Sequence, residues 1–322
     1  MSHRPVAVAA ACLAAVLSGA APATTAAPGS GSGSDTPGQE AAAEVRTLAG
    51  PIEAGSGGME TDADGNVYTA DFGATLSNGP PGTRVWRVTP DGDVSVFAEG
   101  LRGASGNVIG PDGWFYQSNI AANTVSRISP DGEVETFVSS GIRNPVGLVF
   151  DADGHLIVAN CGGGSLSRVD ADGTPEVFTD TDLLRCPNGI TLASDGNFYV
   201  ANFSDGNVVR VTPDGEASVF ATLPGNNNGH ILFGNGVLYV VARGNHQIYE
   251  LTLDGELTLI AGSGERGLDD GPALEATLSL PNDVALSPDG RILYWNDVGV
   301  TGPDPQTLTP TYVRFVELRP GG

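Results

Sequence analysis

The sequence predicts an all-β protein, a six-bladed β-propeller of four-stranded blades, and three observations carry that expectation. Turn glycines Gly65, Gly113, Gly154, Gly196, Gly236 and Gly290 each follow an apolar run and precede another, as in "DADGNVYTAD" and "ASDGNFYVAN". An Asp-Gly or Asn-Gly pair between such runs is a strong local hairpin signal. A second turn glycine follows 19 residues later in four consecutive copies, at Gly132, Gly173, Gly215 and Gly255. Each unit is therefore two hairpins, and a four-stranded unit of roughly 40 residues is a propeller blade. Finally, the sixth copy ends with the chain at "TYVRFVELRPGG", one strand short, while "EVRTLAG" at 44–50 matches the outer strands "DVSVFAEG" and "EVETFVSSG". The N-terminal strand is expected to complete the last blade and close the ring, which also removes exposed sheet edges.

Along the chain, "MSHRPVAVAAACLAAVLSGAAPATTAAP" has a basic start, a short apolar stretch and an Ala21-Pro22-Ala23 site. It reads as an export signal over 1–27 and implies a secreted or extracytoplasmic protein. Cys12 has no lipobox-like context, which argues against a lipid anchor. The small, polar stretch 28–43 reads as a flexible linker, and 44–322 as the propeller. No apolar stretch is long enough to predict a membrane span. The formal charge is −23 and every basic residue is arginine, so nucleic acid and anionic membranes are repelled at long range. Two insertions, "GATLSNGPPGTR" in blade one and "GERGLDDGPALEATLS" between blades five and six, read as loops.

Within each blade the inner strand lines the central channel. Counting back from each first-turn glycine marks its entry at Gly57, Ser105, Val146, Asn188, Asn228 and Asn282. Two residues deeper lie Met59, Asn107, Leu148, Ile190, His230 and Val284. His230 is a candidate general base, though a lone histidine is also a common satisfied core residue, and base catalysis requires an orienting partner. Glu60 and Asp283 are the acids nearest the entry ring. Arg102, Arg143 and Arg185 recur at one position in the loops entering blades two, three and four. They read either as surface ion pairs or, with Ser105 and Asn107, as a substrate clamp for an anion. Asp71, Asn119, Asn160, Asn202 and Asp297 end second strands, where short polar side chains satisfy nearby backbone groups. His155 follows a turn glycine and is expected on an exposed strand. Cys161 and Cys186 are expected on one loop face of adjoining blades, either as a disulfide or as two free thiols. Serine-hydrolase elbows, zincin helices and phosphate loops have no counterpart in the sequence.

On these residues the chain resembles the SMP-30/gluconolactonase/LRE-like and NHL-repeat propellers over essentially its whole mature length. "AGSGERGLDDGPALEATLSLPNDVALSPDGRILYWND" and "GNHQIYEL", with His246, resemble NHL repeats; "CPNGITLASDGNFYVAN" is similar to the Pro-Asn-Gly stretch of the lactonase-like group. The resemblance implies that Asn188 matches a calcium ligand, and with Glu60, Asn228 and Asn282 it would hold Ca2+ or another divalent cation. This ring is poor in acid where the family pattern places carboxylates, so a structural or water-filled polar channel is the alternative. Two functions follow: metal-assisted hydrolysis of a small lactone or ester, or non-enzymatic binding of a small-molecule, protein or glycan ligand at the loop face.

Overall fold

The computed structural model describes residues 43–76, 79–299 and 307–318. The expected export signal and nearly all of the linker lie outside the described residues. Six antiparallel sheets are present, five of four strands and one of five. Blade two shows the pattern: inner strand Ala104–Ile109, then Phe115–Asn119, Thr124–Ile128 and the outer strand Val134–Val138. Blades one, three, four and five repeat it, with inner strands Met59–Thr61, Pro145–Phe150, Pro187–Leu192 and Ile231–Gly234. The Asp-Gly turns form because an aspartate accepts the next strand's first N–H while its other oxygen accepts a tyrosine hydroxyl. Asp112 takes Trp114 N–H at 3.1 Å and Tyr116 O–H at 2.8 Å, and Asp195 treats Asn197 and Tyr199 alike.

The ring closes as the sequence predicts. Strand Glu44–Ile52 pairs antiparallel with Thr311–Glu317 of blade six, which continues through Ile292–Val298 to the inner strand Val284–Leu286. The insertion between blades five and six, expected as a loop, adds the two-residue strand Gly271–Pro272 outside the closing strand. Arg314 welds these pieces. Its side chain is fully buried and donates to Asp297 at 2.9 Å, Asp270 at 2.8 Å and the carbonyls of Thr277 and Asp269. Apolar clusters fill the spaces between neighbouring blades, as with Tyr116, Leu148 and Val158. No helix among the described residues is long and apolar enough to cross a membrane.

Around the axis, the residue after each entry position is Gly58, Gly106, Gly147, Gly189 or Gly229 in blades one to five. Each lies against the backbone of the following blade, so that a methyl group at Gly106, Gly147 or Gly229 would overlap the carbonyl of Val146, Asn188 or Asn282. Backbone hydrogen bonds stitch the same seam, with Gly58 N–H donating to Ser105 at 2.7 Å and His230 N–H to Asn282 at 2.7 Å. In blade six this position is Asp283.

Candidate functional site

The six residues expected two positions below the entry ring, Met59, Asn107, Leu148, Ile190, His230 and Val284, all line one central pocket, together with Glu60, Asp283 and Thr191. Exposure rises along the inner strands. Ser105, Val146, Asn188 and Asn228 are buried at the entry, whereas Thr61, Ile109, Phe150, Leu192 and Phe233 at the far ends are half-buried. The pocket is therefore more open on the side of the Asp-Gly turns.

At its centre His230 and Asp283, both buried, lie with Nδ1 and Oδ2 3.1 Å apart. Asp283 Oδ2 also accepts Met59 N–H at 2.8 Å, and Oδ1 accepts Val284 N–H at 2.7 Å. With both oxygens committed as acceptors, the hydrogen-bond network assigns the imidazole proton to Nδ1. Nε2 is left buried and without a partner, and so is Asn107 Oδ1. Burial pushes His230 down to about 3, with Arg243 adding to the effect, and it raises Asp283 above its ordinary value against those two backbone donors. Burial likewise raises Glu60 to about 7, although Thr61 and Ile109 N–H groups bond its carboxylate. The pocket thus holds a neutral imidazole and, in Glu60, a carboxyl group that titrates near neutrality.

The expected cation ligands do not converge on this pocket. Asn188 Nδ2 donates to Asn228 O at 3.1 Å, Asn228 Nδ2 to Asn207 O at 3.2 Å, and Asn282 Nδ2 to Gly57 O at 3.3 Å, so the amides link blades. For Asn188 a register shift between Pro187 and Gly189 accompanies this, as do matching shifts between Ala104 and Asn107 and between Pro145 and Leu148 in blades two and three. An extra residue there changes which face the entry side chain takes. Of the four proposed ligands only Glu60 lines the pocket, where the other open donors are Asn107 Oδ1 and His230 Nε2. That set falls short of the six to eight oxygens calcium takes, and these residues as placed do not fit it. Among the described residues one other group is possible. Asp151, Asp153 and His155 in the blade-three turn have ligand atoms within 4.8 Å of one another. Asp151, however, is already bonded by Arg168 at 3.1 Å and His155 at 3.2 Å, and its other oxygen by two backbone N–H groups.

Arg102, Arg143 and Arg185 occupy equivalent exposed loop positions on the entry side. Asn119, Asn160 and Asn202 accept their backbone N–H groups at 3.1–3.2 Å, which is what those strand-end amides do. The arginines and Ser105 do not line the pocket; Arg185 approaches Asp205 at 3.9 Å. Cys161 and Cys186 are joined by a disulfide. His246 accepts the Leu280 N–H at 3.1 Å and fixes a loop. The orienter of His230 is what residue-by-residue reading missed. Its signal was the alignment of entry stretches, GGME, SGNV, VGLV, NGIT, NGHI and NDVA, in which Asp283 stands alone against five glycines.

Fold and pocket together define a propeller with a buried Asp–His pair on its axis. A model of the virginiamycin B lyase family matches residues 51–221, just over half of the 322-residue chain, and the chain belongs to that family. No curated protein sequence matches it. Among solved structures it is similar to a catalytically inactive virginiamycin B lyase from Staphylococcus aureus bound to quinupristin, with TM-score 0.61, 17% identity, and coverage of 86% of this chain and 100% of that one. A gluconolactonase from Xanthomonas campestris gives 0.65 and 17%, with 86% and 90% covered. An auxiliary nutrient binding protein from Bacteroides ovatus gives 0.66 and 15%, with 86% and 77% covered. At these identities the likeness is one of fold.

Proposed function

We propose that the chain opens a small lactone or ester in the central pocket, with His230 as base and Glu60 as acid. The observation that carries this reading is the divergence of the two groups: burial leaves His230 neutral with a free Nε2, and lifts Glu60 to about 7. Titratable groups driven apart in this way mark out acid and base roles. In hydrolysis, Nε2 takes a proton from water as its oxygen bonds the carbonyl carbon. The ring C–O bond then breaks, and the leaving oxygen takes the Glu60 proton. Asp283 is a positioning residue that holds Nδ1–H and stabilises the imidazolium as it forms.

Family membership favours a second reading, elimination, in which Nε2 removes a proton from carbon and the C–O bond breaks to leave an alkene and a carboxylic acid. The same two residues serve both. A panel of aldonolactones, acyl-lactones and cyclic depsipeptides, run in 18O-labelled water, separates them, because only hydrolysis places the label in product. His230→Gln should lower turnover by roughly 10²-fold or more with the fold intact. A folded wild type that turns over no member of the panel, or a His230→Gln variant as active as wild type, contradicts the proposal. An exported location is part of the same proposal and is tested by the N-terminus of the protein recovered outside the cytoplasm.

A further inference from the structure

On the entry side, where blade five meets blade six, three nitrogen-bearing side chains from two loops converge on the dipeptide Ser279–Leu280. Arg243, in the short 3-10 turn Arg243–Asn245, is 4% exposed, and its Nη1 donates to Leu280 O. Arg266, from the insertion, donates through Nε to Ser279 Oγ at 3.2 Å. His246 receives Leu280 N–H on Nδ1 at 3.1 Å, which puts its own proton on Nε2 and makes that atom a donor. Leu280 itself is held at φ 51°.

No carboxylate of the described residues lies within 4.0 Å of either guanidinium, in a chain with 38 acidic residues against 15 basic ones. The neighbouring Arg314 shows the usual solution, pairing with both Asp270 and Asp297. Asp297 cannot also serve Arg243 directly, since its oxygens are bonded by Arg314, Trp295 and Ser279. A buried guanidinium with no carboxylate in contact is costly, and a second cation beside it adds repulsion. Arg243 is pushed down to about 10 by burial, which the charge of Asp297 partly offsets and Arg266 reinforces, and His246 to about 4 by burial and both arginines. The Arg243 guanidinium stays charged at neutral pH while the imidazole stays neutral. None of their remaining nitrogens is both enclosed and without a hydrogen-bond partner among the described residues.

We infer that this cluster is a receptor for a small oxyanion, a carboxylate or phosphate group, gripped by Arg243, Arg266 and His246 Nε2–H. The chemistry is a set of donors without acceptors, which charged planar guanidinium groups complete with an oxyanion. This site is separate from the pocket of His230 and stands whether or not that pocket is catalytic. The test is a melting titration of the full chain with sodium phosphate and, in a separate arm, sodium acetate, at ionic strength held constant with sodium chloride. A saturable rise in melting temperature is expected in at least one arm, identifying the oxyanion. Arg266→Gln, half-buried and holding one side-chain bond, should weaken the midpoint at least tenfold. The His246 Nε2–H resonance of wild type should move along the same titration curve. A titration in Arg266→Gln that superimposes on wild type overturns the site, as does a wild type showing neither a saturable shift nor any movement of that resonance.

Discussion

Blades one to five and blade six solve the same packing problem differently. The first five place glycine beside the axis, so that each inner strand presses on the backbone of the next. Blade six places Asp283 there, and its carboxylate fills the seam by bonding Met59 N–H of blade one and His230 of blade five. Repetition builds the ring, and the one departure from repetition carries the charge. The same holds at the periphery. Blades three and four are stapled by Cys161–Cys186, whereas blade six, built from both ends of the chain, is held by Arg314 and its two aspartates.

That contrast can be broken most severely at the split blade. Deleting 44–50 strips the outer strand from Thr311–Glu317 and exposes a sheet edge, and the melting temperature should fall far more than on deleting 28–42. Equal melting temperatures would refute the closure. Next in size is the covalent staple. A loop spanning a sequence separation of 25 contributes roughly 3 kcal/mol in the chain-entropy model. A Cys161→Ser, Cys186→Ser double variant should lose about that much in denaturant titration; no loss would show the staple to be idle. At the axis, Gly147→Ala forces a methyl group against Asn188 O and should cost about 1–3 kcal/mol, whereas Gly154→Ala, with open space around it but a φ of 86°, reports backbone strain alone.

A further effect is one of pH. Glu60 binds its proton more tightly folded than unfolded, since its value rises from 4.5 to about 7. Its contribution is complete below about 4.5 and is lost as pH rises through 7. His230, lowered from 6.5 to about 3, acts in the opposite sense and costs stability as pH falls below 6.5. Glu60→Gln should therefore stabilise relative to wild type at pH 8 more than at pH 4.5. An equal difference at both would contradict the raised value.

Much of this was legible in the sequence. The repeat fixed blade number and strand order, and "EVRTLAG" announced the closure, because turn glycines and period-two strands are local signals. Counting from those glycines also found the pocket-lining positions, from Met59 to Val284. The inter-blade bonds of the amides Asn188, Asn228 and Asn282 were not legible, because each partner is a backbone carbonyl of another blade, and the bulge beside Asn188 leaves no residue-type signature that fixes its side. The Asp283–His230 pair joins residues of different blades. Nothing along one strand announces it, and only comparison across the six copies exposes the aspartate.

The central claim is that burial keeps His230 neutral while Asp283 fixes its proton on Nδ1, leaving Nε2 free. Long-range 1H–15N correlation on the labelled protein reads this directly, with His230→Gln assigning the signal among the four histidines. The account predicts a neutral Nδ1–H tautomer that persists down to pH 5, and its loss in Asp283→Ala. An Nε2–H tautomer, or an imidazolium already formed at pH 6, would contradict it.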